Sequence, residues 1–187
     1  IHYTGMQSER ESLFRLCDPR SKVSCHFIIN KNGKICRLIP DNYIAWHAGK
    51  SCWGNYKNIN ENSIGIELVN KGHRFGYENF SKKQILSLIK VCKILIKRYG
   101  IKKKNVIGHS DIAPLRKIDP GEKFPWFYLS KKNIGIWHNC RKIFLKKLRR
   151  KRVYKKNEKK IFVKNLKKIG YCFSSNKKLI FSKNLKA

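Results

Sequence analysis

The stretch GHSDIAPLRKIDPG, residues 108–121, concentrates side chains that could bind a metal ion. His109 and Asp119 are ten residues apart, and Pro114 and Pro120 stiffen the loop between them, so that the end of the loop can return to its start. A hydrolytic zinc site needs three nitrogen or oxygen ligands and leaves one position open for water. The stretch therefore offers two candidate ligands, and the third has to come from elsewhere in the chain.

Five other histidines could supply that third ligand. His73 and His138 lie in polar, loop-like sequence and are the weaker candidates. His2 lies near the end of a predicted strand, His26 in a predicted hairpin and His47 in a predicted loop. Spacing alone does not choose among these three.

A metal hydrolase also needs a group that accepts the proton of the attacking water. Glu67 is the only acid in the apolar segment SIGIELVN, residues 63–70, where a carboxylate is costly unless it is paired or functional. The alternative is a glutamate that faces outward from a half-exposed strand. Lys117, two residues before Asp119, could place an ammonium near a developing oxyanion. In a chain with so many lysines, it could equally be an ordinary surface residue.

The elements that must position these side chains are predicted from hydrophobic periodicity and turn signals. Asn32-Gly33 indicates a hairpin, Ser81 is a helix N-cap and Gly100 a helix stop. Strands are predicted over residues 1–5, 23–30, 34–40, 63–70 and 105–109, and helices over 8–17 and 79–100. This order predicts an α/β (α+β) fold, a central mixed β-sheet flanked by helices, in a domain that ends near residue 137.

The chain beyond that domain is strongly basic. Of a net charge of +33, residues 131–187 contribute 21 Lys and Arg against one acid, Glu158. We predict a basic linker or helix over residues 138–160, followed by a helix, a turn and a second short segment over 161–187. Such a field favours polyanions, namely nucleic acid, anionic lipid or an acidic wall polymer, whereas the alternative is an accumulation of lysine on solvated faces. Because no nucleic-acid-binding motif accompanies the charge, we expect no specific nucleic-acid partner.

Composition also gives expectations about membrane spans, cysteine ligands and the cellular compartment. No run of 18 apolar residues occurs, so we expect no transmembrane span. The seven cysteines form no C-x-x-C pair, which argues against a cysteine-based zinc site and favours small apolar core residues in a reducing compartment. We expect the protein to be a monomer.

Seven segments, in one order along residues 1–137, together resemble the zinc-dependent N-acetylmuramoyl-L-alanine amidases of the AmpD/AmiD type. This family is related to the peptidoglycan recognition proteins. The segments are IHYT (1–4), VSCHFII (23–29), GKICRLIP (33–40), AWHAGKSCW (45–53), NSIGIELVN (62–70), VIGHSDIAPLRKIDPG (106–121) and FPW (124–126).

The resemblance implies a role for each candidate residue. It makes His2, His109 and Asp119 the ligands of a catalytic Zn²⁺. Glu67 becomes the acid/base and Lys117 the oxyanion stabiliser. Trp46 and His47 would line the substrate groove. The implied substrate is peptidoglycan or a muropeptide, cut between N-acetylmuramic acid and L-alanine.

The resemblance also bears on both ends of the chain. IFVKNLKKIGY, residues 161–171, is similar to the first helix and Gly-Tyr turn of the small peptidoglycan-binding module that AmiD-type members carry. The strand that contains His2 resembles the second half of a longer strand, so we expect the domain to be truncated before Ile1. The AmiD-like pattern implies the cell envelope or periplasm, and the unpaired cysteines favour the cytoplasm as the alternative.

Overall fold

The computed structural model describes residues 1–150 and 156–172. Its strands are β1 (His2–Tyr3), β2 (Phe27–Ile29), β3 (Ile35–Arg37) and β4 (Ile66–Leu68). Its α-helices are α1 (Glu9–Cys17), α2 (Gly72–Phe75), α3 (Lys82–Tyr99), α4 (His109–Ile112), α5 (Trp126–Ser130), α6 (Lys142–Arg150) and α7 (Lys156–Ile169). Short 3₁₀ helices cover Pro19–Ser21, Ile59–Asn62 and Lys103–Asn105.

The strands form one mixed sheet in the order β1-β4-β2-β3. β4 runs parallel to both β1 and β2, whereas β2 and β3 are antiparallel. The β2–β3 turn is the predicted hairpin, in which the Gly33 amide donates to the Asn30 carbonyl at 2.9 Å and Gly33 has a φ of +90°. The α/β class and the mixed sheet confirm the predicted fold.

The main core lies between the sheet and α3. Ile66 and Leu68 point to this side of β4, where they pack with buried residues of α3 such as Leu88 and Leu95. As predicted, the Ser81 side chain caps α3 by accepting from the Gln84 amide, and Gly100 ends it in the left-handed conformation. Because side chains alternate along a strand, Glu67 faces the opposite side of the sheet from this core.

The segment from 105 to 109 differs from the prediction. Instead of a strand, the structure has a 3₁₀ turn up to Asn105 and the first residue of α4 at His109. The backbone between them is extended, but among the described residues its bonds to another extended segment reach only Ile1. The Ile1 nitrogen donates to the Ile107 carbonyl at 2.8 Å, and the His109 amide donates to the Ile1 carbonyl at 3.2 Å. A single paired residue is too little for a strand.

Beyond the sheet domain, the predicted basic region contains two helices. α6 lies within the predicted linker, and α7 begins before residue 161 and ends at Ile169, immediately before the predicted stop at Gly170. The second short segment predicted after that turn lies outside the described residues. Within the described ranges, no helix is both long and apolar enough to cross a membrane.

Candidate metal centre and active site

The sheet register places two of the candidate residues side by side. His2 of β1 pairs with Glu67 of β4, and Ile28 of β2 pairs with Glu67 on its other side. Because paired residues of neighbouring strands point to the same face, the His2 and Glu67 side chains share the face opposite α3. A ligand candidate and a base candidate that are 65 residues apart in sequence thus become neighbours.

The loop of residues 108–121 closes on itself, as its prolines suggest. The Ser110 amide donates to the Asp119 carbonyl at 2.9 Å, which joins the start of the loop to its end. The Tyr77 hydroxyl holds the Pro120 carbonyl at 2.6 Å from outside. As a result His109 and Asp119 both point to the place where His2 lies.

His2, His109 and Asp119 form a buried triad that can hold a metal ion. The Nδ1 atoms of His2 and His109 are 3.0 Å apart, and Asp119 Oδ2 lies 3.0 Å from the first and 3.1 Å from the second. Two ligand atoms bound at about 2.0–2.1 Å to a tetrahedral ion lie roughly 3.3 Å apart, which is close to this spacing. The triangle is therefore the right size for one ion.

The hydrogen bonds around the triad fix the tautomers of both histidines. His109 Nε2 lies 3.0 Å from the Ala48 carbonyl oxygen, so it carries the proton and leaves Nδ1 as a lone pair. The Ser63 hydroxyl donates to Ile59, so its oxygen accepts from His47 Nε2 at 3.5 Å. His47 Nδ1 then accepts from His2 Nε2 at 3.2 Å, which leaves His2 Nδ1 as a lone pair too.

Two lone pairs and a carboxylate oxygen thus face one another in a buried space. Such groups repel unless a cation lies between them, and neutral imidazole with carboxylate is a donor set that divalent metals take. Burial lowers the pKa of His2 to about 3, which keeps the ring neutral as a ligand must be.

Glu67 is the second unusual carboxylate of the site. Among the described residues, its buried Oε2 atom has no hydrogen-bond partner. Burial and then the charge of Asp119 raise the pKa of Glu67 to about 8, although the positive charge of Lys117 acts in the opposite direction. An unpartnered buried carboxylate with a raised pKa is typical of a group that exchanges protons.

The remaining candidates lie around this centre. Lys117 is partly buried, and its amide donates to the Ala113 carbonyl at 2.9 Å. His47 packs edge-on against His2, with ring centroids 5.2 Å apart. Trp46 is 54% exposed, and its backbone bonds to Ser24 through both its amide and its carbonyl. The structure thus groups six of the seven predicted site residues by contact or charge and leaves Trp46 as an exposed neighbour of His47.

A cavity of about 890 Å³ borders the ligand histidines from another side. His2, His47 and His109 line it together with the C-terminal end of α3, but Glu67, Lys117 and Asp119 do not. It therefore reaches the histidines from a side that Glu67 and Lys117 do not line.

Two residues with no assigned role in the sequence analysis, Asn60 and Arg116, support this centre. The Asn60 side chain accepts from the amides of His47 and Ala48, at 3.2 and 2.7 Å. Arg116 donates to the Ala48 and Lys50 carbonyls at 2.9 and 3.0 Å. Arg116 lies within the motif of residues 108–121, whereas no motif or spacing around Asn60 indicated a role for it.

His26, which sequence spacing left open as a ligand, has a different place. It is fully buried, its Nε2 donates to the Tyr43 carbonyl at 2.9 Å and its Nδ1 accepts from the Gly65 amide at 3.0 Å. Because both ring nitrogens already make hydrogen bonds, His26 has a structural role and is not a metal ligand.

An α/β domain with a buried His-His-Asp triad beside a carboxylate defines a metal-hydrolase type of site. The chain belongs to the N-acetylmuramoyl-L-alanine amidase family, which residues 1–122 match. It is 41% identical over 155 residues to the N-acetylmuramoyl-L-alanine amidase AmiD of Escherichia coli, an alignment that covers 76% of this chain and 55% of AmiD. It is 39% identical over 106 residues to the 1,6-anhydro-N-acetylmuramyl-L-alanine amidase AmpD of Haemophilus influenzae, covering 56% of this chain and 55% of that protein. The chain thus spans about half the length of these relatives.

Solved structures agree with this assignment. The chain is similar to E. coli AmiD in complex with anhydro-N-acetylmuramic acid-L-Ala-D-γ-Glu-L-Lys, with a TM-score of 0.79 and 33% identity over 95% of this chain and 72% of that one. It is also similar to AmpDh3 of Pseudomonas aeruginosa in complex with an anhydromuramic pentapeptide, with a TM-score of 0.80 and 30% identity over 95% of this chain and 74% of that one.

Proposed function

We propose that this chain is a zinc-dependent amidase that hydrolyses the bond between N-acetylmuramic acid and L-alanine in peptidoglycan or muropeptides. The observation that carries the proposal is the triad of His2, His109 and Asp119 with Glu67 beside it. Family membership and the amidase names of the relatives support the same reaction.

The donor set of the triad fits Zn²⁺. Two neutral imidazole nitrogens and one carboxylate oxygen form a three-ligand set that leaves a fourth position for water, as hydrolytic zinc sites require. When bound, zinc supplies a water of lowered pKa and polarises the substrate carbonyl.

The proton transfers fall to Glu67. Its buried Oε2, which has no hydrogen-bond partner among the described residues, accepts a proton from the attacking water when the carboxyl is ionised, and the raised pKa of about 8 favours holding that proton. It then gives the proton to the nitrogen of L-alanine as the amide bond breaks. Hydroxide ends on the lactyl carbonyl of the sugar and hydrogen on the peptide amine, so the products are a muramic acid carboxylate and a free stem peptide.

Lys117 and the pair Trp46–His47 complete the proposed assignment. The Lys117 ammonium, whose charge acts on Glu67, would stabilise the negative charge that develops on the carbonyl oxygen. His47 would orient His2 through the bond at 3.2 Å and line the groove with Trp46, whose exposed ring offers a face to a sugar.

The proposal extends to substrate form and organisation. The two complexes of the relatives contain anhydromuramic peptides, which favours such fragments as substrates. We assign the amidase to residues 1–137, a basic linker to 138–160 and a wall-binding-like segment to 161–187. We further infer a monomer at the cell envelope, with the cytoplasm as the alternative location.

Mass spectrometry of digests tests the reaction. The zinc-loaded protein is incubated with an anhydromuramic tetrapeptide and, separately, with intact peptidoglycan. We expect a free peptide that begins with L-alanine from at least one of them. Binding of the muropeptide in calorimetry without any cleavage would instead show a recognition protein and contradict the proposal.

A further inference from the structure

The segment that follows α7 returns to the metal centre. The Gly170 carbonyl accepts from the Gly54 amide at 2.6 Å, and the Cys172 thiol lies 3.6 Å from the Gly54 carbonyl oxygen. Both the amide and the carbonyl of Gly54 are thus bonded to the segment after α7, through the Gly170 backbone and the Cys172 side chain. Residues 170–172, which we call the clasp, are joined to this loop although more than 100 residues separate them in sequence.

The first residue of the clasp has to be glycine. Gly170 has a φ of +140°, and a Cβ atom built there would lie 2.5 Å from Cε2 of the Trp53 ring. Trp53 in turn packs edge-on against Tyr171, with ring centroids 5.2 Å apart. A side chain at position 170 would push the clasp off the indole.

The second residue of the clasp reaches the helix that contains a metal-ligand candidate. The Tyr171 hydroxyl donates to Asp111 Oδ1, while Asp111 Oδ2 accepts from the Gly108 amide at 2.8 Å. Gly108 immediately precedes His109. Asp111 is therefore not a ligand but a link between the clasp and the backbone that sets the position of His109.

A small apolar cluster ties the same elements together from the other side. Trp53 packs with Ala48, Ile112 and Ala113, and Tyr171 packs against this cluster. The Ala48 carbonyl accepts the proton of His109 Nε2. The clasp thus contacts two regions that position His109. One is the backbone at Gly108, reached through Asp111, and the other is the cluster containing Ala48, whose carbonyl accepts from His109 Nε2.

We propose that the clasp is a positioning element for the metal centre, in which Tyr171 acts through Asp111 to hold His109 in the orientation that binds the ion. This role rests on the proposed metal site. It gives the C-terminal segment a task within the amidase domain, in addition to any contact with the cell wall.

Zinc affinity is the measurement that isolates this role. Partners that orient a metal-binding histidine directly change metal affinity by about 10- to 100-fold, and Tyr171 acts one step further away, so we expect Tyr171→Phe to weaken zinc binding by about three- to tenfold. The full chain is titrated with zinc against a chromophoric chelator. Tyr171→Phe keeps the ring on Trp53 and removes only the hydroxyl.

Two further variants and one control sharpen the result. Asp111→Asn should also weaken zinc binding, and the double variant with Tyr171→Phe should be no weaker than Asp111→Asn alone, since one link is broken only once. Tyr128→Phe, on the exposed face of α5, removes a hydroxyl elsewhere and should leave zinc binding unchanged. Urea unfolding of the zinc-free proteins separates a loss of affinity from a loss of stability.

The outcomes are distinguishable. If Tyr171→Phe binds zinc as tightly as the wild type, the clasp proposal is overturned, even if the variant unfolds more easily. If the wild type itself binds no zinc, the proposed function fails first and the clasp loses its purpose with it. A weaker affinity in Tyr171→Phe and Asp111→Asn, with Tyr128→Phe unaffected, supports the clasp.

Discussion

At the scale of single residues, Glu67 shows most clearly what the site is built to do. A buried carboxylate oxygen without a hydrogen bond is destabilising, and an apolar side chain of similar size would avoid that cost. Because stability alone would not favour this residue, its chemistry has to account for it.

Glu67→Gln tests that account. Glutamine has the same shape but neither accepts the proton of water nor returns one, so we expect the turnover number to fall by about 10²- to 10⁴-fold. Zinc content, measured by elemental analysis, should stay the same because Glu67 is not in the triad. An active variant, or an inactive one that has lost its zinc, would contradict the assigned role.

Lys117 has the narrower role of stabilising an oxyanion. We expect Lys117→Met to lower the turnover number by about 10²- to 10³-fold with little change in KM, because the charge is needed only as the transition state forms. Steady-state kinetics on a muropeptide measure both quantities. Lys90→Met, on the exposed face of α3, is the matched control and should behave as the wild type.

The choice among His2, His26 and His47 shows where sequence reasoning from spacing stops. His2 becomes a triad member because β1 pairs with β4 in one register, and this contact joins residues 65 positions apart. Spacing has no access to such a contact, although resemblance to a family did point to His2. The ring nitrogens of His26 and His47 bond to other partners, and neither residue belongs to the triad.

At the scale of elements, sequence signals predicted an element correctly where its bonds lie within a single segment. The N-cap at Ser81, the apolar spacing and the stop at Gly100 lie within α3 itself, and the structure has that helix over Lys82–Tyr99. The strand predicted at 105–109 was wrong because a strand depends on a neighbouring strand, and among the described residues the only extended segment bonded to this one is that of Ile1.

Gly65 offers a test of how β4 supports the metal centre. A Cβ atom at this position would lie 2.3 Å from Cγ of His47, so Gly65→Ala must displace that ring and weaken its bond to His2 Nε2. Loss of such an orienting partner predicts a drop in zinc affinity of about tenfold or more. Chelator competition provides the measurement.

A matched variant separates this effect from general destabilisation. Ser81→Ala removes the cap of α3 and costs about 1 kcal/mol, so it should lower the urea midpoint of unfolding. Its zinc affinity should equal that of the wild type, since Ser81 is not part of the metal centre. Equal zinc affinities in Gly65→Ala and the wild type would show that His47 does not orient His2.

At the scale of the whole molecule, the metal centre joins distant parts of the fold. His2 lies on an edge strand, His109 begins α4, and Asp119 ends the loop that follows. A ligand that binds only the folded chain stabilises it by about 2.7 kcal/mol when present at 100 times its Kd. We therefore expect the melting temperature in calorimetry to rise on adding zinc and to fall on adding a chelator. A melting temperature that does not change with zinc would argue against a metal site formed by β1, α4 and the loop after α4.

A zinc titration of activity tests most directly whether the chain is a zinc-dependent amidase. Protein stripped with a chelator is mixed with increasing zinc, and release of the stem peptide from an anhydromuropeptide is followed by mass spectrometry. We expect no release without zinc and a rate that rises until one zinc is bound per chain, through the single triad of His2, His109 and Asp119 found among the described residues. Full activity of the stripped protein, or no stem peptide at any zinc concentration, would contradict this expectation.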